Sequence, residues 1–125
     1  MLTVTISDKL GNQMFAYASV KTIAQNRGEF FGFVRAKNNL INDTDKQYGI
    51  HTIFPNTKAE FLTELPTAIT HTWEEPPLRE RTANYQPSAL TVPENTLMKG
   101  HFISCRYFWK NRSQVQKWFS FPEDM

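Results

Sequence analysis

The chain has 125 residues, 40% hydrophobic and 21% charged, with a net charge of +2. That length suits one compact domain with a real core. The small, dispersed charge excludes a nucleic-acid or anionic-membrane surface built on bulk electrostatics.

In chain order, residues 2–6, LTVTI, read as a strand rich in Val, Thr and Ile. Lys9 to Asn12 reads as a turn, with Asn12 as N-cap of a helix from Gln13 to about Asn26. Met14, Phe15, Ala16, Tyr17, Ala18 and Val20 leave little polar face at its start, the pattern of a helix packed on several sides. Gly28 suits the position after the helix, and residues 29–34, EFFGFV, read as a second strand. Strand, turn, helix and strand make a βαβ unit, with a right-handed crossover by the general rule.

From Arg35 to Thr96 the signal is poorer. YGIHTIFP reads as a short helix ending before Pro55, AEFLTEL is helical or extended, and Pro76–Pro77 argues against regular structure around them. The reading is an irregular, proline-rich segment packed on a sheet. Order returns with a strand over 97–103, Gly100 inside it, and a helical turn from Ser104 to Phe108. Ser113 is positioned to cap a last helix from Gln114 to Phe119, with Val115, Trp118 and Phe119 on one face and Pro122 as its stop.

No basic region followed by an apolar stretch opens the sequence, and no run approaches the roughly 20 apolar residues of a membrane span. Neither a signal peptide nor a transmembrane segment is expected. Cys105 is the sole cysteine, so no intrachain disulfide forms and a reducing, cytoplasmic setting is expected. Its own expected role is a small buried apolar side chain.

Candidate chemistry centres on residues 9–13, KLGNQ. In open α/β sheets the ligand crevice lies outside the carboxyl ends of the strands, where the first βα turn opens. A helix N-terminus there offers free N–H groups and partial positive charge. Gly11 permits close approach, and the amides of Asn12 and Gln13 bond hydroxyls or phosphate oxygens without adding charge. The plainer use of the same residues is a cap and a first-turn polar side chain.

Other groupings are weaker. Asp43-Thr44-Asp45 spells D-x-D, a metal–nucleotide pattern, but sits in a polar turn where capping is the ordinary use. His51, His71 and His101 are too far apart in sequence for zinc-ligand spacing, and His101 serves either packing or ligand contact. Glu74–Glu75 reads as an acid/base pair or as two solvated carboxylates. Trp73, Tyr85, Trp109 and Trp118 are candidates to stack on a sugar ring; Trp73, placed in a loop, suits packing equally, whereas Trp118, on the apolar face of a helix, suits the core. Arg106, Lys110 and Arg112 form a small basic group best read as a solvated face.

As a string, LGNQMFAYA resembles the N-terminal motif of the α-1,2-fucosyltransferases of glycosyltransferase family 11, which follows a first strand and usually reads Gly-Gly-Leu-Gly-Asn-Gln-Met-Phe-Gln-Tyr-Ala. Leu10, Gly11, Asn12, Gln13, Met14, Phe15, Tyr17 and Ala18 match; Asp8, Lys9 and Ala16 depart. About ninety residues on, LMKGHFISCRYF resembles that family's second segment through Gly100, Phe102, Ser104, Tyr107 and Phe108, with His101 and Ile103 departing. The resemblance says little about residues 35–95.

The resemblance implies an α/β chain: the Rossmann-like, acceptor-side half of a GT-B-type glycosyltransferase, as a single domain over residues 1–125. It implies transfer of fucose from GDP-fucose to a galactoside hydroxyl, with inversion and without a metal or other cofactor. The family binds its donor through a His-x-Arg-x-Gly-Asp-Tyr-like motif in a second half, and these residues contain none. The expectation is therefore a galactoside-containing glycan as partner, GDP-fucose only with a second half, and no turnover by the chain alone. Expected substrate contacts are Lys9, Gly11, Asn12, Gln13 and His101. The rival expectation is a non-catalytic glycan-binding or remnant α/β domain.

Overall fold

The computed structural model describes residues 1–7, 9–35, 49–76 and 85–121. β1 (Leu2–Ile6) lies in the middle of the sheet. Its alternation buries Leu2, Val4 and Ile6 completely, in one cluster with Tyr17, Val20 and Phe33. α1 (Leu10–Asn26) carries the chain to β2 (Phe31–Arg35), which pairs in parallel with β1 from Leu2 opposite Phe31 to Ile6 opposite Arg35. The βαβ unit read from the sequence is present, with β2 starting two residues later than expected.

α1 ends as expected. Arg27 is its C-cap, and Gly28 takes φ +69°, a left-handed conformation that glycine adopts without steric cost. Its start differs. Lys9 is the N-cap, with extended backbone and no side-chain capping bond, and its carbonyl accepts from the Gln13 N–H at 3.1 Å. Asn12 is therefore the third helical residue, not the cap. Backbone geometry alone begins the helix, about a turn earlier than a capping side chain would have it.

The sheet has five strands, all parallel, in the order β3-β2-β1-β5-β4. β3 is Phe61–Leu62, β4 is His71–Glu74 and β5 is Thr96–Lys99. The middle segment is thus less irregular than its prolines suggest, since it supplies both edge strands. Pro76 stands two residues past the end of β4, after the Glu75 N–H has bonded the Lys99 carbonyl at 2.7 Å, so its missing N–H removes nothing from the ladder. Trp73 stands on β4 and not in a loop. β5 is shorter than expected and stops at Lys99.

α2 (Ile50–Ile53) ends before Pro55 as read from the sequence, and a 3₁₀ turn over Pro55–Glu60 leads into β3. Further 3₁₀ turns over Cys105–Tyr107 and Trp109–Asn111 lead into α3 (Arg112–Trp118). Ser113 does not cap this helix. Asn111 stands at the cap, and its side chain instead donates to Thr22 Oγ1 at 3.2 Å and Gln25 Oε1 at 3.3 Å on α1. Cys105 is exposed, contrary to expectation, because the inward side of its three-residue turn is taken by Tyr107.

Tyr17 is the aromatic centre of the core. Its ring meets Phe31, Phe33, Trp118 and Phe119 at centroid distances of 5.3, 5.4, 6.0 and 5.5 Å. Contacts of this kind contribute about 0.5–1.5 kcal/mol each beyond simple burial, and here they hold α3 to α1 and β2. The Tyr17 hydroxyl donates to Glu60, and Lys21 donates to both at 3.0 Å. Burial, then the Glu60 carboxylate, pushes the Tyr17 phenol well above its ordinary pKa. Among the described residues no helix is long and apolar enough to cross a membrane.

Candidate functional site

In a parallel sheet every strand delivers its carboxyl end to the same edge. Here β1, β5 and β4 end side by side. Between them opens a crevice of about 470 Å³, lined by Thr5 and Ser7 at the end of β1, Glu74 and Glu75 at the end of β4, and Lys99 and His101 at the end of β5. From β1 the chain turns away through α1 to β2, so the strand on its other side, β5, leaves a gap at this edge. That is the position where open α/β sheets bind ligands.

The crevice is shaped by one carboxylate. Glu75 Oε1 accepts from the His101 N–H at 3.1 Å and from the Phe102 N–H at 3.2 Å. These bonds to an ionised acceptor are worth about 1.5–3 kcal/mol each. They hold a turn in which Phe102 takes φ 51°, a left-handed conformation that costs a non-glycine residue about 1–3 kcal/mol. Phe102 is completely buried against Trp73 and Tyr107. Gly100 makes room for the carboxylate stem, since a Cβ there would stand 2.5 Å from Glu75 Cβ. Tyr107 lies behind Glu75, accepting from the Gln86 N–H at 2.7 Å, and burial pushes its phenol up to about 12.

The adjacent acids read as one pair in sequence have separate uses. Glu75 is half-buried and bonded, whereas Glu74 is exposed at the crevice. With Lys99 and His101 it gives the opening an acceptor, a cation and an imidazole. Such a set can bond several hydroxyls of one polar ligand. The organising role of Glu75 was missed from sequence. Its one signal there is Gly100, whose absent side chain matters only once β4 is seen to lie beside β5.

Of the expected contacts, His101 lines the crevice. Lys9 and Gly11 are exposed at the mouth of α1, with open space where a Gly11 Cβ would stand. Asn12 is half-buried and has no hydrogen-bond partner among the described residues. Gln13 is 2% exposed, and its Oε1 accepts from the Ile50 N–H at 3.1 Å. That N–H belongs to the first turn of α2, where no intrahelical acceptor exists. The two amides therefore separate: Gln13 works inward, tying α2 to α1, and Asn12 remains available. Met14 and Phe15, expected to be buried, are half-buried.

The remaining groupings have plain uses. His51 stacks on Phe61 at 3.8 Å with the rings 2° from parallel; burial and then the Arg35 charge lower its pKa. His71 is exposed on β4. Trp73 donates to Ser88 Oγ at 3.3 Å, and Trp118 is in the core as expected. Among the described residues no three His, Cys, Asp or Glu side chains converge as a metal site. Asp43 and Asp45 lie outside the described residues.

No protein-family model, curated protein or solved structure matches the chain.

Proposed function

We propose that the chain is the acceptor-side half of a fucosyltransferase-like protein of GT-B type, transferring fucose from GDP-fucose to a galactoside hydroxyl. The observation that carries this reading is where LGNQMFAYA falls: it opens α1 immediately after the central strand of a parallel sheet, at the edge where the crevice lies. The galactoside takes the crevice, with Glu74, Lys99 and His101 as contacts for its hydroxyls. Lys9, Gly11 and Asn12 stand at the helix mouth, where free N–H groups suit a phosphate or hydroxyl oxygen. Gln13 acts one step back, through its bond to α2. In an inverting transfer the acceptor hydroxyl loses its proton as its oxygen attacks the sugar carbon, and GDP leaves from the opposite face. The departing pyrophosphate needs preorganised positive charge. The family's Arg-containing donor motif does not occur in these residues, so the donor falls to a second half.

A second reading is favoured by the inward use of Gln13: a glycan-binding or remnant α/β domain without catalysis. Calorimetry and a GDP-release assay separate the two. The transferase reading expects galactoside binding by this chain, and GDP release only when a donor half is added. Donor-dependent turnover by the chain alone contradicts the division into halves. Galactoside binding with no turnover alongside any donor half favours the second reading.

A further inference from the structure

A second opening lies away from the strand ends, along the later turns of α1. It measures about 480 Å³, a size that takes a mono- or disaccharide. Thr22 and Asn26 of α1 form one side, and Arg106, Trp109 and Lys110 form the other. Nothing in the transferase reading uses it.

Three features of this groove point to a ligand. The first is charge. Arg106 and Lys110 both line the groove, and neither is in an ion pair among the described residues, whereas Lys21 and Arg27 are. The nearby carboxyl end of α1 carries about half a negative charge, too little to offset two cations. The second is an aromatic surface. Trp109 is 56% exposed. The Arg112 guanidinium lies 4.8 Å from the Trp109 ring centroid, and Arg106 lies 4.5 Å from that of Tyr85. Stacking of this kind holds a guanidinium in a fixed plane; Arg112 is held further by donating from Nη1 to the Trp109 carbonyl at 3.1 Å. The third is a neutral polar rim. Asn26 offers an exposed amide. Asn111 spends its N–H₂ on Thr22 and Gln25 and keeps its carbonyl oxygen.

We propose that this groove binds an anionic saccharide, one bearing a sulfate or carboxylate substituent. The cations take the anionic group, the exposed indole takes the C–H face of the pyranose ring, and the amides take its hydroxyls. A nucleic-acid strand suits the observations less well. The net charge is +2, the cations are confined to one short segment, and no extended basic track is present among the described residues. The proposal needs neither the crevice nor a donor, so it stands or falls apart from the transferase reading.

The test is calorimetric titration of the intact chain with four probes: a heparin-derived sulfated disaccharide, its unsulfated parent, sodium sulfate, and a short single-stranded oligonucleotide. The sulfated disaccharide is expected to bind, more weakly as salt rises, and to exceed each other probe by about tenfold or more. Arg106→Gln with Lys110→Gln is expected to weaken it by about tenfold or more. Trp109→Ala is expected to weaken both disaccharides. All three side chains are exposed, and unchanged circular dichroism checks that the variants remain folded. Equal binding of the parent disaccharide, equal binding of sulfate alone, tighter binding of the oligonucleotide, or a double variant that binds like the wild type would each overturn the proposal.

Discussion

Replacing Gln13 by leucine tests whether the second amide of the opening motif works inward. The two side chains are similar in size, so little cavity is created, and the change is chiefly polar. Gln13 is 2% exposed and its acceptor bond to the Ile50 N–H measures 3.1 Å. Ile50 is itself completely buried, so water does not replace the lost acceptor. Leaving a buried N–H unpaired costs about 1–3 kcal/mol. The added apolar burial offsets part of this, for a net loss of about 1–2 kcal/mol. With a urea slope of about 1–3 kcal/mol/M for a small domain, the unfolding midpoint falls by roughly 0.3–2 M. The Ile50 amide should also lose hydrogen-exchange protection while the β1 amides keep theirs. Asn12→Ala is the control, since Asn12 has no partner among the described residues and should change stability by about 0.5 kcal/mol or less. The reasoning is refuted if Gln13→Leu unfolds at the wild-type midpoint while Asn12→Ala is the costly change.

Three further expectations follow from the same geometry. Burial lowers the His51 pKa below 6.5, so its contribution to stability is present above pH 6.5 and lost as pH falls through the folded value. His51→Phe keeps the stacking on Phe61 without that titration, and the stability advantage of wild type over variant should shrink in acid; an advantage constant with pH contradicts this. Tyr17→Phe should cost about 1–3 kcal/mol by removing a hydroxyl bonded to two charged groups. Because its folded pKa is raised, the Tyr17 contribution is fully present below pH 10.0 and lost as pH rises beyond it; urea unfolding at alkaline pH reads this slope, which the variant should lack. Gly100→Ala should cost about 1–3 kcal/mol, because the new methyl would stand 2.5 Å from Glu75 Cβ. The His101 and Phe102 amides should then show large chemical-shift changes, and an unperturbed spectrum contradicts the account of that turn.

The legible parts of the fold were those whose signal is local. β1 followed from β-branched alternation, β2 from an aromatic run reaching Val34, and the ending of α1 from Gly28. The apolar start of α1 announced a helix surrounded by core. Val115, Trp118 and Phe119 marked the inward face of α3. The rest depends on partners distant in sequence. β3 and β4 have two and four residues, too few for a period, and exist because β2 and β5 offer them parallel edges. The inward bond of Gln13 was not legible because the N–H it serves lies 37 residues away. Asn12 looked like a cap because Asn favours that position, yet α1 starts from the extended backbone of Lys9 alone. At the site, His101 was legible as a candidate, while Glu75 was not. Its importance comes from two backbone N–H groups, which carry no side-chain signature.

The central claim, that the carboxyl edge of this sheet receives a galactoside, is tested most directly by titrating methyl β-galactoside into the isotopically labelled chain and following its amide resonances. The account predicts saturable shifts at Thr5, Ser7, Lys99, Gly100 and His101, around the crevice, with Lys99→Ala weakening the response. Shifts absent from those residues at saturating galactoside, or confined to residues remote from this edge, would contradict it.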